Sequence, residues 1–338
     1  MSEALLKVKG LKTYFFLDEG TVKAVEGADF SIQPGSTVGI VGESGCGKSV
    51  TAFSILQLVE HPGRLVSGEV LLRRKAQGSN AYEIIDLAKL SPHSREIRAV
   101  RGGEISMIFQ EPMVSLSPVH TVGFQIVEAI QQHCNISQAE ARERAIELLN
   151  KVGIPKPQER VDAYPFQLSG GMRQRAMIAM ALSCNPALLI ADEPTTALDV
   201  TTQAQILELM LSLQREFGMA IMLITHNLGV VAEMCEQVIV MYLGEVVEQA
   251  DADALFHDSL HPYTQALLHS IPVLGQSKLG RLDPIKGMVP DPYNRPTGCA
   301  FHPRCAQRIP GKCDQLPIPL IELKDGRAVR CVLYERRA

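Results

Sequence analysis

One stretch of eight residues constrains the fold of this chain more than any other. It follows an apolar run, Thr37 to Val41, and precedes Val50 to Leu56, which can continue as a helix. Strand, glycine-rich turn and helix are typical of a phosphate-binding loop, because glycines let several N–H groups point at one anion and the helix start adds partial positive charge. The residues of this loop are Gly42, Glu43, Ser44, Gly45, Cys46, Gly47, Lys48 and Ser49.

The residue types in the loop predict binding of ATP together with Mg²⁺. Lys48 is expected to reach the β- and γ-phosphates, and Ser49 to hold the metal. A chance glycine-rich loop is the alternative, and the complete G-x4-G-K-S pattern between a strand and a helix argues against it. Tyr14, in an N-terminal strand pattern, could stack on adenine or simply pack in its sheet; its spacing leaves both open.

Charge and hydropathy exclude several classes of protein. The chain has 338 residues, enough for two or three domains, and a net charge of −4, which gives no basic field for nucleic acid. No apolar run approaches the roughly 20 residues that span a bilayer, and the N-terminus lacks a signal-peptide pattern. We therefore expect a cytosolic chain whose link to a membrane goes through a partner.

Strand and helix patterns alternate along the chain and predict an α/β fold with a mostly parallel sheet. Polar residues follow three buried strand patterns, where ligands bind in such sheets. Asp192 is placed to support Mg²⁺ and Glu193 to polarise an attacking water, the alternative being a solvated acidic turn. His226 follows the next strand, where a γ-phosphate sensor would lie, although a lone histidine is more often structural. Gln110 ends another strand and could reach the metal.

A second anion site is predicted at the start of a later helix. Ser169 is a suitable N-cap, and Gly170 and Gly171 leave the first N–H groups of the helix bare. Local chemistry alone favours an ordinary helix cap.

Taken together, these motifs resemble the ATPase subunit of an ABC transporter. The phosphate loop, Gln110, the Leu168 to Gln174 signature, the 188–193 strand, the Ala197 to Asp199 segment and the switch histidine follow one another in the family's order over about residues 5 to 255. The resemblance implies that ATP lies between two nucleotide domains and is bound by the signature of the opposite subunit. It assigns the contact with ATP of the opposite subunit to Ser169, Gly170, Gly171 and Gln174, and an inter-subunit contact to Asp199. It assigns catalysis to Glu193 and His226. It also assigns a link to the membrane subunit to Gln110 and adenine stacking to Tyr14.

Three further stretches resemble the dipeptide and oligopeptide importers, in particular their D-type ATP-binding subunit. They are Gln110 to Pro118, His261 to Leu268 and Gly298 to Cys305. Nickel importers share much of this pattern, so nickel stays open as an alternative substrate. The resemblance implies a second ATPase subunit, of a different sequence, two integral membrane permease subunits and an extracytoplasmic peptide-binding protein. It places this chain at the cytoplasmic face of the membrane as a peripheral subunit.

The same resemblance predicts the domain organisation. Residues 1–260 would form the ABC ATPase domain, with a RecA-like parallel sheet, an antiparallel β subdomain and a helical subdomain at about 113–185. Residues 261–338 would form a small C-terminal extension that contains cysteines.

Four of the eight cysteines lie in the last 40 residues: Cys299, Cys305, Cys313 and Cys331. Their spacing alone is compatible with zinc, with an iron–sulfur cluster or with four unconnected small hydrophobic residues. Resemblance to peptide-importer ATPases implies a [4Fe–4S] cluster, with zinc as the second choice.

A fifth cysteine, Cys46, stands where the family usually has serine, and its position beside Lys48 predicts an acidic, alkylation-sensitive thiol.

Two other functions remain open from the sequence. One is a soluble ABC ATPase of DNA repair, translation or iron–sulfur assembly, although 58 residues between Gln110 and Ser169 leave no room for a long coiled coil. The other is a regulatory subunit with a silent ATP site, against which the presence of Glu193 and His226 argues.

Overall fold

The computed structural model describes residues 3–76, 81–110, 115–196, 198–270 and 285–335. Residues 111–114 of the Gln110 segment, and Ala197, lie outside the described residues. The strands are β1 Leu6–Leu17, β2 Gly20–Ile32, β3 Thr37–Val41, β4 Gly63–Lys75, β5 Tyr82–Asp86, β6 Ile105–Ile108, β7 Leu188–Asp192, β8 Ala220–Ile224, β9 Gln237–Tyr242, β10 Glu245–Asp251, β11 Ile321–Glu322 and β12 Ala328–Val329. The α-helices are α1 Lys48–Ile55, α2 Arg95–Val100, α3 Val122–His133, α4 Gln138–Lys151, α5 Pro157–Arg160, α6 Gly170–Ala181, α7 Val200–Phe217, α8 Leu228–Met234, α9 Ala252–His257 and α10 Pro262–His269.

The central sheet has the strand order β11-β12-β10-β9-β3-β8-β7-β6. From β9 to β6 all neighbouring strands are parallel, whereas β10 and β12 join antiparallel. Every residue of β3, β7 and β8 is buried, as expected for parallel strands covered on both faces. The carboxyl ends of these strands therefore meet at one edge, and this edge carries the candidate site.

A second sheet, antiparallel and of order β2-β1-β4-β5, lies against the phosphate-loop helix. The buried hydroxyls of Thr13 on β1 and Ser54 on α1 are 2.7 Å apart. Apolar residues of this sheet, of α1 and of one face of the central sheet form a continuous core. The antiparallel sheet is thereby fixed to the same helix that begins at the phosphate loop.

Helices α3, α4 and α6 pack on one another beyond the central sheet. Each begins at a hydroxyl residue whose side chain accepts a backbone N–H: Thr121, Ser137 and Ser169. Ser137 forms a complete capping box with Glu140. These caps satisfy first-turn N–H groups and fix where the three helices begin.

The C-terminal region extends the central sheet. Strand β12 pairs with β10, and the Arg330 side chain donates to the carbonyl oxygens of Val246 at 2.9 Å and Ile318 at 2.8 Å. In the part of the chain that is described, no helix has the length and apolar character needed to cross a membrane. The predicted α/β fold, with a parallel core sheet, an antiparallel β subdomain and a helical part, is confirmed, while the proposed domain boundaries remain predictions.

Candidate functional site

The phosphate loop is held by close backbone packing that admits no side chain at two of its glycines. Gly42 has φ +152°, and a Cβ there would lie 2.2 Å from the carbonyl oxygen of Met241. Gly47 has φ +99°, and a Cβ there would lie 2.2 Å from the carbonyl oxygen of Ala24 on β2. Both positions therefore require glycine, and the antiparallel sheet directly contacts the start of α1.

Lys48 lies across the loop instead of pointing away from it. Its Nζ donates to the carbonyl oxygens of Gly42 at 2.8 Å and Glu43 at 3.1 Å, and its side chain is buried. The ammonium group thus lies within the curve of the loop, where it can neutralise a phosphate oxygen.

Asp192 at the end of β7 lies beside Ser49 at the start of α1. The carboxylate is buried, and its Oδ1 has no hydrogen-bond partner within the described residues. Burial raises the pKa of Asp192, and the hydrogen bond from the Ser49 hydroxyl opposes that rise. An unpartnered buried oxygen and a neighbouring hydroxyl are oxygen ligands of the kind that Mg²⁺ prefers, so these residues fit the metal.

Glu193 follows Asp192 and has an unusual backbone. Its φ is +47°, in the left-handed region, and its N–H donates to the carbonyl oxygen of Ile224 at 2.8 Å. A non-glycine residue in this region is strained, and such strain is concentrated at functional sites. Four other non-glycine residues in the described part of the chain also have positive φ, so the backbone of Glu193 supports the assignment but does not make it alone.

Three side chains converge on the Glu193 carboxylate. His226 Nδ1 lies 3.0 Å from Oε1, Thr196 Oγ1 donates to Oε2 at 2.8 Å, and Gln110 Nε2 donates to Oε2 at 3.3 Å. Burial alone would raise the pKa of Glu193, but the hydrogen bonds of His226 and Thr196 outweigh burial and lower it. The carboxylate is therefore ionised at neutral pH and can accept a proton or orient water.

Tyr14 lies on β1 close to the loop. It pairs with Lys23 of β2, next to the Ala24 carbonyl that contacts Gly47. Its hydroxyl donates to Glu26 Oε2 at 2.7 Å. Burial, the larger cause, and the neighbouring Glu26 carboxylate together raise the pKa of Tyr14 to about 12. The ring therefore belongs to a neutral, hydrogen-bonded tyrosine beside the phosphate loop.

Ser169 and Gly170 lie exposed at the start of α6, with Gly171 half-buried. A Cβ on Gly171 would lie 3.1 Å from the side chain of Thr202 at the start of α7. Asp199 caps that second helix, since its carboxylate accepts the backbone N–H of Thr202 at 3.0 Å and the Thr202 hydroxyl at 2.7 Å. The structure thus brings the signature segment and Asp199 together at two adjacent helix starts.

Gln174 is separated from that surface. It is fully buried on the inner face of α6, and neither its Oε1 nor its Nε2 has a hydrogen-bond partner in the described ranges. The sequence groups Gln174 with Ser169 and Gly170, whereas the structure separates it from them.

The prediction of an iron–sulfur cluster is wrong. Within residues 3–76, 81–110, 115–196, 198–270 and 285–335 there is no group of three or more His, Cys, Asp or Glu side chains that could hold a metal ion. The zinc alternative at these cysteines is likewise unsupported. The four cysteines line a small apolar cavity, and burial raises the pKa of Cys299 to about 12 and of Cys331 to about 11. Burial therefore keeps Cys299, Cys305 and Cys331 as neutral thiols, and all four cysteines pack around the cavity. The cysteines concerned are Cys299, Cys305, Cys313 and Cys331.

The acidic thiol predicted at Cys46 is also not found. The side chain is 3% exposed, and burial raises the pKa of Cys46 despite the nearby ammonium of Lys48. The charge and hydrogen bonds of Lys48 lower the pKa of this thiol, but the cost of burying a thiolate is larger and decides the direction.

Three residues of the site were missed in the sequence. Thr196 donates to Glu193. The sequence offered little to indicate this contact: Thr196 lies three residues after Glu193 and is the second of two adjacent threonines. Tyr263 and Arg304, both in the C-terminal region, contact Glu43 of the phosphate loop. Contacts between residues more than 200 positions apart leave no local pattern.

Comparison with known families agrees with this geometry. Residues 25–196 match the family described as ABC transporter, and residues 247–313 match the family described as oligopeptide/dipeptide transporter, C-terminal region. The chain belongs to the ABC transporter family. Within that family it is an ATP-binding subunit that carries the additional C-terminal region.

Curated relatives match almost the whole chain. The oligopeptide transport ATP-binding protein AppD of Bacillus subtilis is 52% identical over 332 residues, which cover 98% of this chain and 97% of that protein. The dipeptide transport ATP-binding protein DppD of Escherichia coli is 49% identical over 328 residues, which cover 97% and 96%. None of these names includes an iron–sulfur cluster.

Solved ABC structures share the fold. The cassette MJ0796, in a dimeric post-hydrolysis state bound to ADP and Pi, is 29% identical with a TM-score of 0.62 and covers 73% of this chain and 98% of that one. The structure of cbiO1 from Clostridium perfringens, part of a cbiONQ transporter complex, is 27% identical with a TM-score of 0.60 and covers 76% and 92%.

Proposed function

We propose that this chain is the ATP-hydrolysing subunit of an ABC importer for dipeptides or oligopeptides. The observation that carries the proposal is the set of polar contacts to Glu193 at the carboxyl edge of the parallel sheet, next to a complete phosphate loop. Similarity over nearly the whole chain to relatives named as peptide transport ATP-binding proteins supports the substrate class.

In the proposed mechanism the protein positions the reactants and neutralises charge. Lys48 and the N–H groups of the loop bind the triphosphate. Ser49, Asp192 and Gln110 would hold Mg²⁺, which when bound supplies positive charge beside the phosphate oxygens. The ionised Glu193 orients water and accepts its proton, and His226 holds the carboxylate at 3.0 Å.

The exposed start of α6 supports a paired arrangement. Ser169 and Gly170 are exposed next to the helix capped by Asp199, and we assign both helix starts to contacts with ATP and backbone of a second ATPase subunit. Such a pair would act with two membrane permease subunits at the cytoplasmic face of the membrane. An extracytoplasmic binding protein would deliver the peptide.

The test is transport by the complete complex in proteoliposomes. Radiolabelled dipeptide, a longer peptide and Ni²⁺ are offered separately, and uptake and ATP hydrolysis are measured together. We expect peptide uptake that requires ATP, and a loss of about a hundredfold to ten-thousandfold in kcat for Glu193→Gln, the usual contribution of a general base. Glu208→Gln, at an exposed position of α7, is the matched control and should retain full activity.

Two results would contradict the proposal. Full ATP hydrolysis by Glu193→Gln would remove the assigned base. Uptake of Ni²⁺ without peptide uptake would leave an ABC importer but reject the peptide substrate.

A further inference from the structure

Glu43, the second residue of the phosphate loop, has all of its polar groups engaged. Its carbonyl oxygen accepts from Lys48 Nζ at 3.1 Å. Its backbone N–H donates to the Tyr263 hydroxyl at 2.9 Å. Its carboxylate accepts from Arg304, Nη1 to Oε2 at 2.7 Å and Nη2 to Oε1 at 3.1 Å. One residue of the loop therefore contacts the phosphate-binding lysine on one side and the C-terminal region on the other.

The two C-terminal contacts come from rigidly held side chains. The Arg304 side chain is 4% exposed, and its Nε donates to the Lys286 carbonyl oxygen while Nη1 also lies 3.3 Å from the Tyr242 hydroxyl. The Tyr263 ring is fully buried and packs on Tyr242 with ring centroids 4.6 Å apart. Bidentate pairing from such a buried guanidinium fixes both the position and the orientation of its partner.

The charge of Glu43 makes this contact matter for nucleotide binding. A carboxylate in a loop that binds a polyanion repels it, unless an opposite charge neutralises the carboxylate. Arg304 supplies that charge from outside the ATP-binding core, and Tyr263 fixes the peptide whose carbonyl oxygen accepts from Lys48.

We propose that Arg304 and Tyr263 are positioning residues for ATP binding: they hold and neutralise Glu43, so that the C-terminal region sets the geometry and the charge of the phosphate loop. The proposal rests on the ATP-binding function proposed above. It makes the C-terminal region a determinant of nucleotide affinity, in addition to any contact it makes with partners.

The test compares single and double variants of the full-length chain. Arg304→Gln leaves Glu43 charged and unpaired, so the Kd for trinitrophenyl-ATP and the KM for Mg-ATP in the complete transporter should rise about tenfold, with kcat changed less than about twofold. Adding Glu43→Gln removes the unpaired charge and should return both constants to within about threefold of the unmodified chain. Tyr263→Phe, which loses only the hydroxyl, should raise Kd by about threefold.

Arg330→Gln is the matched control. Arg330 also lies in the C-terminal region and donates to backbone carbonyl oxygens, but its contacts are to Val246 and Ile318 and not to the loop. It should lower the melting temperature and leave the Kd unchanged.

Rescue by Glu43→Gln separates positioning from simple structural support, since a damaged C-terminal region would not be repaired by a change in the loop. An Arg304→Gln chain with unchanged Kd would overturn the proposal. An Arg304→Gln chain that binds nucleotide more weakly, and whose Kd is not restored by adding Glu43→Gln, would also overturn it. If the unmodified complex hydrolyses no ATP, the proposed function fails, whereas the binding measurements still decide the role of Arg304 and Tyr263.

Discussion

Replacing Gly42 with alanine tests the packing of the phosphate loop. The new Cβ would lie 2.2 Å from the carbonyl oxygen of Met241 and 2.7 Å from the sulfur of Cys46. The first neighbour is strand backbone, which cannot move without disturbing β9. At φ +152° the backbone is also in a region that alanine avoids.

The expected cost combines two terms. Backbone strain contributes about 1–3 kcal/mol and overpacking a further 1–3 kcal/mol, a total of about 2–6 kcal/mol. Gly45→Ala is the matched control, because Gly45 lies in the same loop at φ +77° and a Cβ there would meet nothing within 4 Å. That change should cost only about 1–2 kcal/mol for the left-handed backbone. The difference between the two variants is about 3 kcal/mol.

Thermal unfolding of both variants measures this difference. For a chain of this size about 1 kcal/mol corresponds to about 2 °C, so Gly42→Ala should unfold roughly 6 °C below Gly45→Ala. It should also bind ATP more weakly, because the Gly42 carbonyl oxygen accepts from Lys48. Equal midpoints, within about 1 °C, would refute the inference that the Met241 backbone excludes a side chain here.

Three further predictions concern single side chains. Thr196→Val removes a hydrogen bond that lowers the pKa of Glu193, so that pKa should rise and the acid limb of the kcat–pH profile should move to higher pH. Cys46 should resist N-ethylmaleimide in the native chain and react after unfolding in urea, as peptide mass spectrometry can determine, because burial raises its pKa. Thr13→Val breaks the buried contact with Ser54 and should cost about 1 kcal/mol in urea unfolding.

Each of these has a clear contrary outcome. An acid limb that stays in place would show that the Thr196 hydroxyl does not tune Glu193. Native labelling of Cys46 at the rate of a free thiol would contradict its burial. Unchanged stability of Thr13→Val would mean that the antiparallel sheet and α1 are not coupled through this hydroxyl pair.

The parts of the fold and site that could be predicted are those encoded locally. Continuous apolar runs identified the parallel strands, and the polar residues that follow them had to meet because parallel strands end at the same edge. Glu193 and His226 were predicted in this way, and the structure places them 3.0 Å apart. Their roles in catalysis remain proposals.

The parts that could not be predicted depend on packing between distant segments. The pairing of Arg304 with Glu43 joins positions 261 residues apart, and nothing near either residue indicates it. The burial of Cys46 depends likewise on neighbours supplied by the fold. Spacing along the chain left open whether the C-terminal cysteines hold a metal, and within the described residues they form no group that could do so.

The burial of Gln174 is a different case, because helical periodicity could have predicted it. The residues that share its face of α6 recur every three or four positions and are all buried: Met177, Ile178 and Ala181. The motif grouped Gln174 with the exposed signature, whereas the helical period places it on the buried face; its contact with ATP of a second subunit stays a prediction.

Strand β12 covers one edge of β10, and this has a consequence for dissecting the protein. The Arg330 N–H also donates to the Val247 carbonyl oxygen at 2.8 Å, so a chain that ended before residue 320 would lose these partners of the β10 backbone. An uncovered edge strand is a template on which other chains can add. A minimal cassette cut from this protein would therefore tend to self-associate, and low activity in such a fragment would report aggregation rather than a defect in its chemistry.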